Sequence, residues 1–185
     1  IILNSVYPLS KSVVMSVEPL HAQAFFRVDT SGLFSEILIF DYYDNAHYYY
    51  SLIEDEDGYG REMERLLNVM NEFLREEKVL VNDEEVGVEA LLVDLDFRGS
   101  PELPTITYLI EFYTKLCSGL NKYECHYEMG LAEYDYEVYW ILPSEARIVE
   151  VEISGEYEIL DDRIMVAKMR RGEPYNGYEK IVFKL

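Results

Sequence analysis

Across most of its 185 residues the chain runs in short stretches of alternating apolar and polar character, each closed by turn-forming residues. A period of two marks a strand with one buried face, because successive side chains point to opposite sides. Such stretches occupy residues 13–18, 22–28, 33–42 and 47–53, with Asp29-Thr30-Ser31-Gly32 and Asp44-Asn45 as turns. Further on they occupy 79–81, 86–97, 122–128, 133–142, 147–159, 163–169 and 179–185. Asn82-Asp83, Ser118-Gly119, Asp161-Asp162 and Asn176-Gly177 punctuate them. The 86–97 run is apolar on both faces in its middle, which places it centrally in a sheet. Residues 105–117 fit a helix stripe and a strand face equally well; the Thr105-Ile106-Thr107-Tyr108 opening decides for a strand.

One segment has a different period. Met63, Leu66, Leu67, Met70, Phe73 and Leu74 recur at helical spacing and predict a single main amphipathic helix over about 60–77. Most links between strands are shorter than the dozen or so residues that a parallel crossover needs. The expected fold class is therefore α+β: a predominantly antiparallel β meander, either a strongly twisted sheet or a partly closed barrel, with that helix on one face or end. The chain reads as a single domain, 1–185, with sub-structure of 1–82 (strands plus helix) and 83–185 (meander).

Charge narrows the partners. The formal net charge is −20, which repels nucleic-acid phosphates and anionic membrane surfaces. Basic proteins and cations are the electrostatically favoured partners. Residues 161–185 are slightly basic, with 6 Lys+Arg against 4 Asp+Glu, so a head-to-tail homo-oligomer is an option. Two cysteines, Cys117 and Cys125, are too few for a disulfide scaffold. No apolar run nears the ~20 residues of a membrane helix, and residues 1–20 lack a signal-peptide layout. The expected location is the cytoplasm. A single Gln beside 25 Glu is a bias shared with heat-adapted proteins.

The densest grouping of chemistry-bearing residues lies at 123–137. With Gly130-Leu131 as a hairpin loop, Glu128 would face Glu133, His126 would face Asp135, and Glu124 would face Glu137. Tyr123, Cys125, Tyr127, Tyr134 and Tyr136 would take the opposite face. Glu124, His126, Glu128 and Asp135 then form a candidate N/O site for a divalent metal. Asp94 and Asp96, on one strand face, are a second candidate. Asp55, Asp57, Gly58 and Glu64 imitate part of a calcium loop, but Ile53 stands where its first Asp is required, so they read as helix-dipole partners. Tyr43, His47 and Tyr49, in a tyrosine-dense run, are candidate ligand-binding residues. His21 reads as structural.

No P-loop, GxGxxG, Gly-x-Ser-x-Gly or HExxH is present. The expectation is a non-catalytic binding module for a small amphipathic ligand or a basic protein, with no cofactor required. The alternatives are a metal-dependent hydrolase using the His/carboxylate cluster, and a structural subunit with an acidic docking face.

Overall fold

A computed structural model describes residues 17–185. Residues 13–16 of the first expected strand lie outside the described residues. The chain is α+β, mostly strand, in two principal sheets that do not close into a barrel.

The larger sheet has seven strands. In chain order these are β1 (Val17–Val28), β2 (Leu33–Asp44), β5 (Glu89–Phe97), β6 (Pro104–Tyr113), β9 (Asp135–Ile141), β11 (Glu156–Leu160) and β12 (Ile164–Met169). Their spatial order is β11-β12-β9-β1-β2-β6-β5. The second sheet holds β3 (Lys78–Val81), β4 (Glu84–Glu85), β7 (Leu120–His126), β10 (Arg147–Glu152) and β14 (Tyr178–Lys184), ordered β10-β14-β7-β3-β4. A small pair joins β8 (Gly130–Leu131) to β13 (Pro174–Tyr175). Both large sheets draw strands from either side of residue 82.

All neighbours in the two large sheets are antiparallel except β1 and β9, which run parallel with Phe25 opposite Tyr139. Short links disfavour a parallel neighbour only between strands that follow each other. Here the connection is the whole of residues 29–134, which is ample.

The alternation decides what is buried. Ala24, Phe26, Phe34, Leu38, Phe40, Ile106, Tyr108, Trp140 and Met165 point from the large sheet into the core. Tyr123, Cys125, Ile181 and Phe183 reply from the second sheet. Phe26 stacks on Trp140 at 4.6 Å, and Tyr123 meets the same indole at 4.6 Å, so aromatic rings join the two layers.

The main helix, α2, is Glu56–Leu74, displaced towards the N-terminus relative to the expected 60–77. Its start is set by Asp55, whose carboxylate accepts from Gly58 N–H at 3.0 Å as an N-cap. Asp55 is thus a cap, not a calcium ligand. The apolar stripe ends at Leu74, and Lys78 already belongs to β3. Leu66, Met70 and Leu74 are the buried stripe.

Three expected elements differ. The 47–53 run is not a strand: it holds a short helix, α1 (Tyr48–Leu52). The buried Asp44 carboxylate accepts from Tyr49 N–H at 2.9 Å, and its carbonyl accepts from His47 N–H at 3.2 Å. His47 takes φ 53°, so the chain turns back and Tyr49 enters the core, overriding tyrosine's strand propensity. The 147–159 run divides at Gly155 (φ 86°) into β10 and β11, which belong to different sheets.

The 86–97 run yields an edge strand, not a central one. Its continuous apolarity comes from a bulge: between Ala90 and Leu92 the register slips and Leu91 turns outward. Helix α2 secures this edge. Asn71 Nδ2 donates to Ala90 C=O at 3.0 Å, and Asn71 Oδ1 accepts from Ala90 N–H at 2.9 Å. Asn71→Ala leaves both buried backbone groups without partners. The expected loss is about 2 kcal/mol in urea unfolding, with faster amide exchange at Ala90.

Candidate functional site

Among the described residues, the inner face of the large sheet is filled, while its outer face is largely uncovered and carries a regular pattern. Read across the strands, one row runs Glu158, Val166, Tyr139, Phe25, Ile37, Leu109, Leu92. From Val166 onward it is apolar over six strands, roughly 24 Å at ordinary strand spacing. Ile37 is 45% exposed and Leu92 48%, and Phe25 stacks on Tyr139 at 4.6 Å with ring planes 8° apart. Single exposed apolar residues are ordinary; a connected belt marks an interaction surface.

The flanking rows are mixed in character. One runs Glu156, Lys168, Glu137, Gln23, Ile39, Thr107, Asp94; beyond it, His21 lies between Asp135 and Asp41. On the other side the row runs Leu160, Ile164, Ile141, Arg27, Ser35, Glu111, Glu89, apolar at one end and acidic at the other. Glu137 accepts from Tyr139 Oη at 2.8 Å and Gln23 Nε2 at 3.1 Å and pairs with Lys168 at 3.2 Å. The tyrosine hydroxyl, followed by the glutamine and lysine, holds this carboxylate below its usual range despite partial burial. The belt therefore runs beside a row that holds Glu156, Glu137 and Asp94, of which Glu137 is fixed by hydrogen bonds.

The sequence-level metal candidates are not gathered. Glu124 and His126 lie on β7 in the five-stranded sheet, while Asp135 lies on β9 in the seven-stranded one. The expected hairpin does not form, because Gly130-Leu131 pairs with Pro174-Tyr175 instead. His126 faces Tyr178 and Lys78; the histidine opposite Asp135 is His21. Burial pushes the Glu124 carboxyl up, but hydrogen bonds from Lys122 and Tyr178 outweigh it and lower its pKa. Asp135 accepts from Arg171 N–H at 2.8 Å. Glu128 is exposed in the connection after β7. Asp94 and Asp96 do share the outer face of β5, both exposed. Among the described residues, no three His, Cys, Asp or Glu side chains are placed to hold a metal ion.

The tyrosine-run candidates are separated too. Tyr49 is fully buried, Tyr43 is exposed on β2, and His47 sits 3.5 Å from Glu102. No common ligand face joins them.

One interior group escaped sequence reasoning. Glu36 is 2% exposed, on the inward side of β2 between Phe34 and Leu38, and among the described residues neither carboxyl oxygen has a hydrogen-bond partner. Burial pushes its pKa up to about 8, and the nearby Glu77 and Glu179 carboxylates add to the effect. Parity was the available signal, since Glu36 shares the even positions of Phe34, Leu38 and Phe40. Of the two free thiols, Cys125 is buried, with Sγ 3.6 Å from Glu77 Oε2, and Cys117 is exposed. Among the described residues no helix is long and apolar enough to cross a membrane.

Fold and surface together define an α+β two-sheet scaffold with one bare sheet face. No family model matches the chain, and no curated protein matches its sequence. Its backbone is similar to the folded domain of the LppM protein of Mycobacterium tuberculosis, at 8% identity and TM-score 0.41, over 97% of this chain and 95% of that one. It is also similar to part of an M1 zinc metallopeptidase from Deinococcus radiodurans, at 8% identity and TM-score 0.35, over 90% of this chain. The chain spans 42% of that peptidase. Likenesses this loose carry no argument about activity.

Proposed function

We propose that this protein is a non-catalytic binding module that docks a basic, amphipathic protein on the outer face of its large sheet. The observation that carries this reading is the apolar belt across six strands of the large sheet, exposed at Ile37 and Leu92, with Glu137 and Asp94 in the row beside it. A partner with an apolar strip flanked by Lys or Arg buries the belt and pairs the rim charges, and the net charge of −20 steers its approach. An exposed free thiol at Cys117 suits a reducing compartment, and we place the protein in the cytoplasm.

The test is crosslinking of the folded protein in native cell extract, followed by mass spectrometry of the crosslinked sites. Crosslinks should map to the belt strands and fade at high salt. Replacing Ile37 and Leu92 together by Lys sets cations against a basic partner. It should cut capture at least tenfold while changing stability by no more than about 1 kcal/mol. Capture that is indifferent to the double substitution would refute the proposal.

A further inference from the structure

Among the described residues, four strand edges bound the two large sheets, and three of them are blunted. β5 carries the Leu91 bulge and is bonded to Asn71 of α2. β10 is bulged between Ile148 and Glu150, with Val149 turned out to solvent. β4 has only two residues. Bulges, covering groups and short length are the ordinary devices against pairing with another chain.

β11 has no bulge and no covering group, and its guard is the charge of Glu156 and Glu158, which repels an acidic strand and not a basic one. It pairs with β12 in unbroken register from Glu156 opposite Lys168 to Leu160 opposite Ile164, and all five of its residues are exposed. Alternate residues of an antiparallel edge strand direct N–H and C=O away from the partner strand. Among the described residues nothing pairs with that side of β11. The hairpin before β12 is held by Asp161 and Asp162, both at positive φ (51° and 55°), so the edge is presented on a preset turn.

We propose that β11 is a strand-addition site for an extended peptide segment that alternates basic and apolar residues. The two faces of β11 specify that alternation. Glu156 and Glu158 point to the outer face, beside a shallow cavity of about 200 Å³ lined with Val166 and Lys168. Tyr157 and Ile159, opposite Ala167 and Met165, point to the other face and are 47% and 42% exposed. An added strand with Lys or Arg opposite the glutamates and Val or Ile opposite the apolar pair satisfies backbone and both faces together. A second copy is poorly suited. Full antiparallel pairing of β11 with itself sets Glu158 against Glu158, between chains that each carry −20. The site adjoins the end of the apolar belt at Val166 but binds through the backbone edge of β11, a mode that does not need Ile37 or Leu92, so it stands independently of the docking proposal.

The experiment uses a blocked seven-residue peptide alternating Lys and Val, with an alternating Glu and Val peptide as control. Amide exchange of the folded protein is read residue by residue. The Lys peptide should slow exchange at 156–160, and its affinity should fall at least tenfold in the Glu156→Lys, Glu158→Lys double variant. Both positions are exposed, so the variant folds, and unchanged exchange elsewhere checks this. The Ile37, Leu92 double variant should bind the peptide as the natural chain does. No protection at 156–160 with millimolar peptide overturns the proposal, as does equal protection by the Glu peptide. A dimer in sedimentation that the double variant dissolves would assign the edge to self-association and overturn it too.

Discussion

Replacing Glu36 by Gln should stabilise the protein at alkaline pH by several kcal/mol while leaving its stability near pH 4 almost unchanged. The carboxyl is buried, has no hydrogen-bond partner among the described residues, and is pushed by burial to a pKa of about 8. In the unfolded chain it titrates near the ordinary value of 4.5. Below that pH both states hold the proton and no penalty exists. Between the two pKa values the unfolded chain releases a proton that the native chain keeps, so folding becomes less favourable by about 1.4 kcal/mol per pH unit. Above about 8 the native carboxyl ionises as well, and the loss levels off at on the order of 5 kcal/mol. Urea unfolding from pH 4 to 9 checks this through the difference between natural and substituted chains, since other titrating groups cancel. Glu36→Met tests the desolvation of the acid itself and should be stabilising at every pH in that range. Parallel stability curves for the natural chain and the Glu36→Gln variant across that range would mean that water reaches the carboxyl in the folded state.

The second large effect lies at Trp140. Its indole stacks on Phe26 at 4.6 Å, meets Tyr123 at 4.6 Å and touches Phe34 edge-on at 6.4 Å. Three strands of the large sheet and β7 of the other therefore share one ring. Trp140→Ala empties that junction and should cost about 4 kcal/mol, enough to abolish a marginal fold. Trp140→Phe keeps most of the stack and also removes the indole N–H, which is buried without a partner, so it should cost under about 1.5 kcal/mol. Denaturant titration followed by circular dichroism measures both. Equal losses for Ala and Phe would show that the ring's stacking is not what the core depends on.

Local pattern was a sound guide wherever a property depends on neighbours along the chain. The strand choice for 105–117 holds as β6 as far as Tyr113, and the Asn82-Asp83 turn does join β3 to β4, with both residues at positive φ. Within each strand alternation sorted the sides, with Tyr123, Cys125 and Tyr136 buried and His126 and Asp135 exposed, but the expected single charged face is divided between two sheets. What failed was the partner. Parity states which way a side chain points relative to its own strand, and nothing about which strand lies alongside. His21 and Asp135 meet because β1 and β9 run parallel across more than a hundred residues of intervening chain, a pairing with no local trace.

The apolar belt was hidden for the same reason. Phe25, Ile37, Leu92, Leu109, Tyr139 and Val166 each read alone as one ordinary residue on a half-polar face, and only the seven-strand order lines them up. Two elements were misjudged because tertiary bonding outweighed propensity. A buried Asp44 carboxylate turned the tyrosine run into α1, and a bulge made an apolar stretch suitable for an edge. By itself, the sequence determined the α+β class, the main helix, the inward parity of each strand and the acidity of the surface, because these follow from spacing and composition. Strand order, the bare face, the open β11 edge and the isolation of Glu36 were decided by tertiary structure, since each depends on contacts between segments remote along the chain.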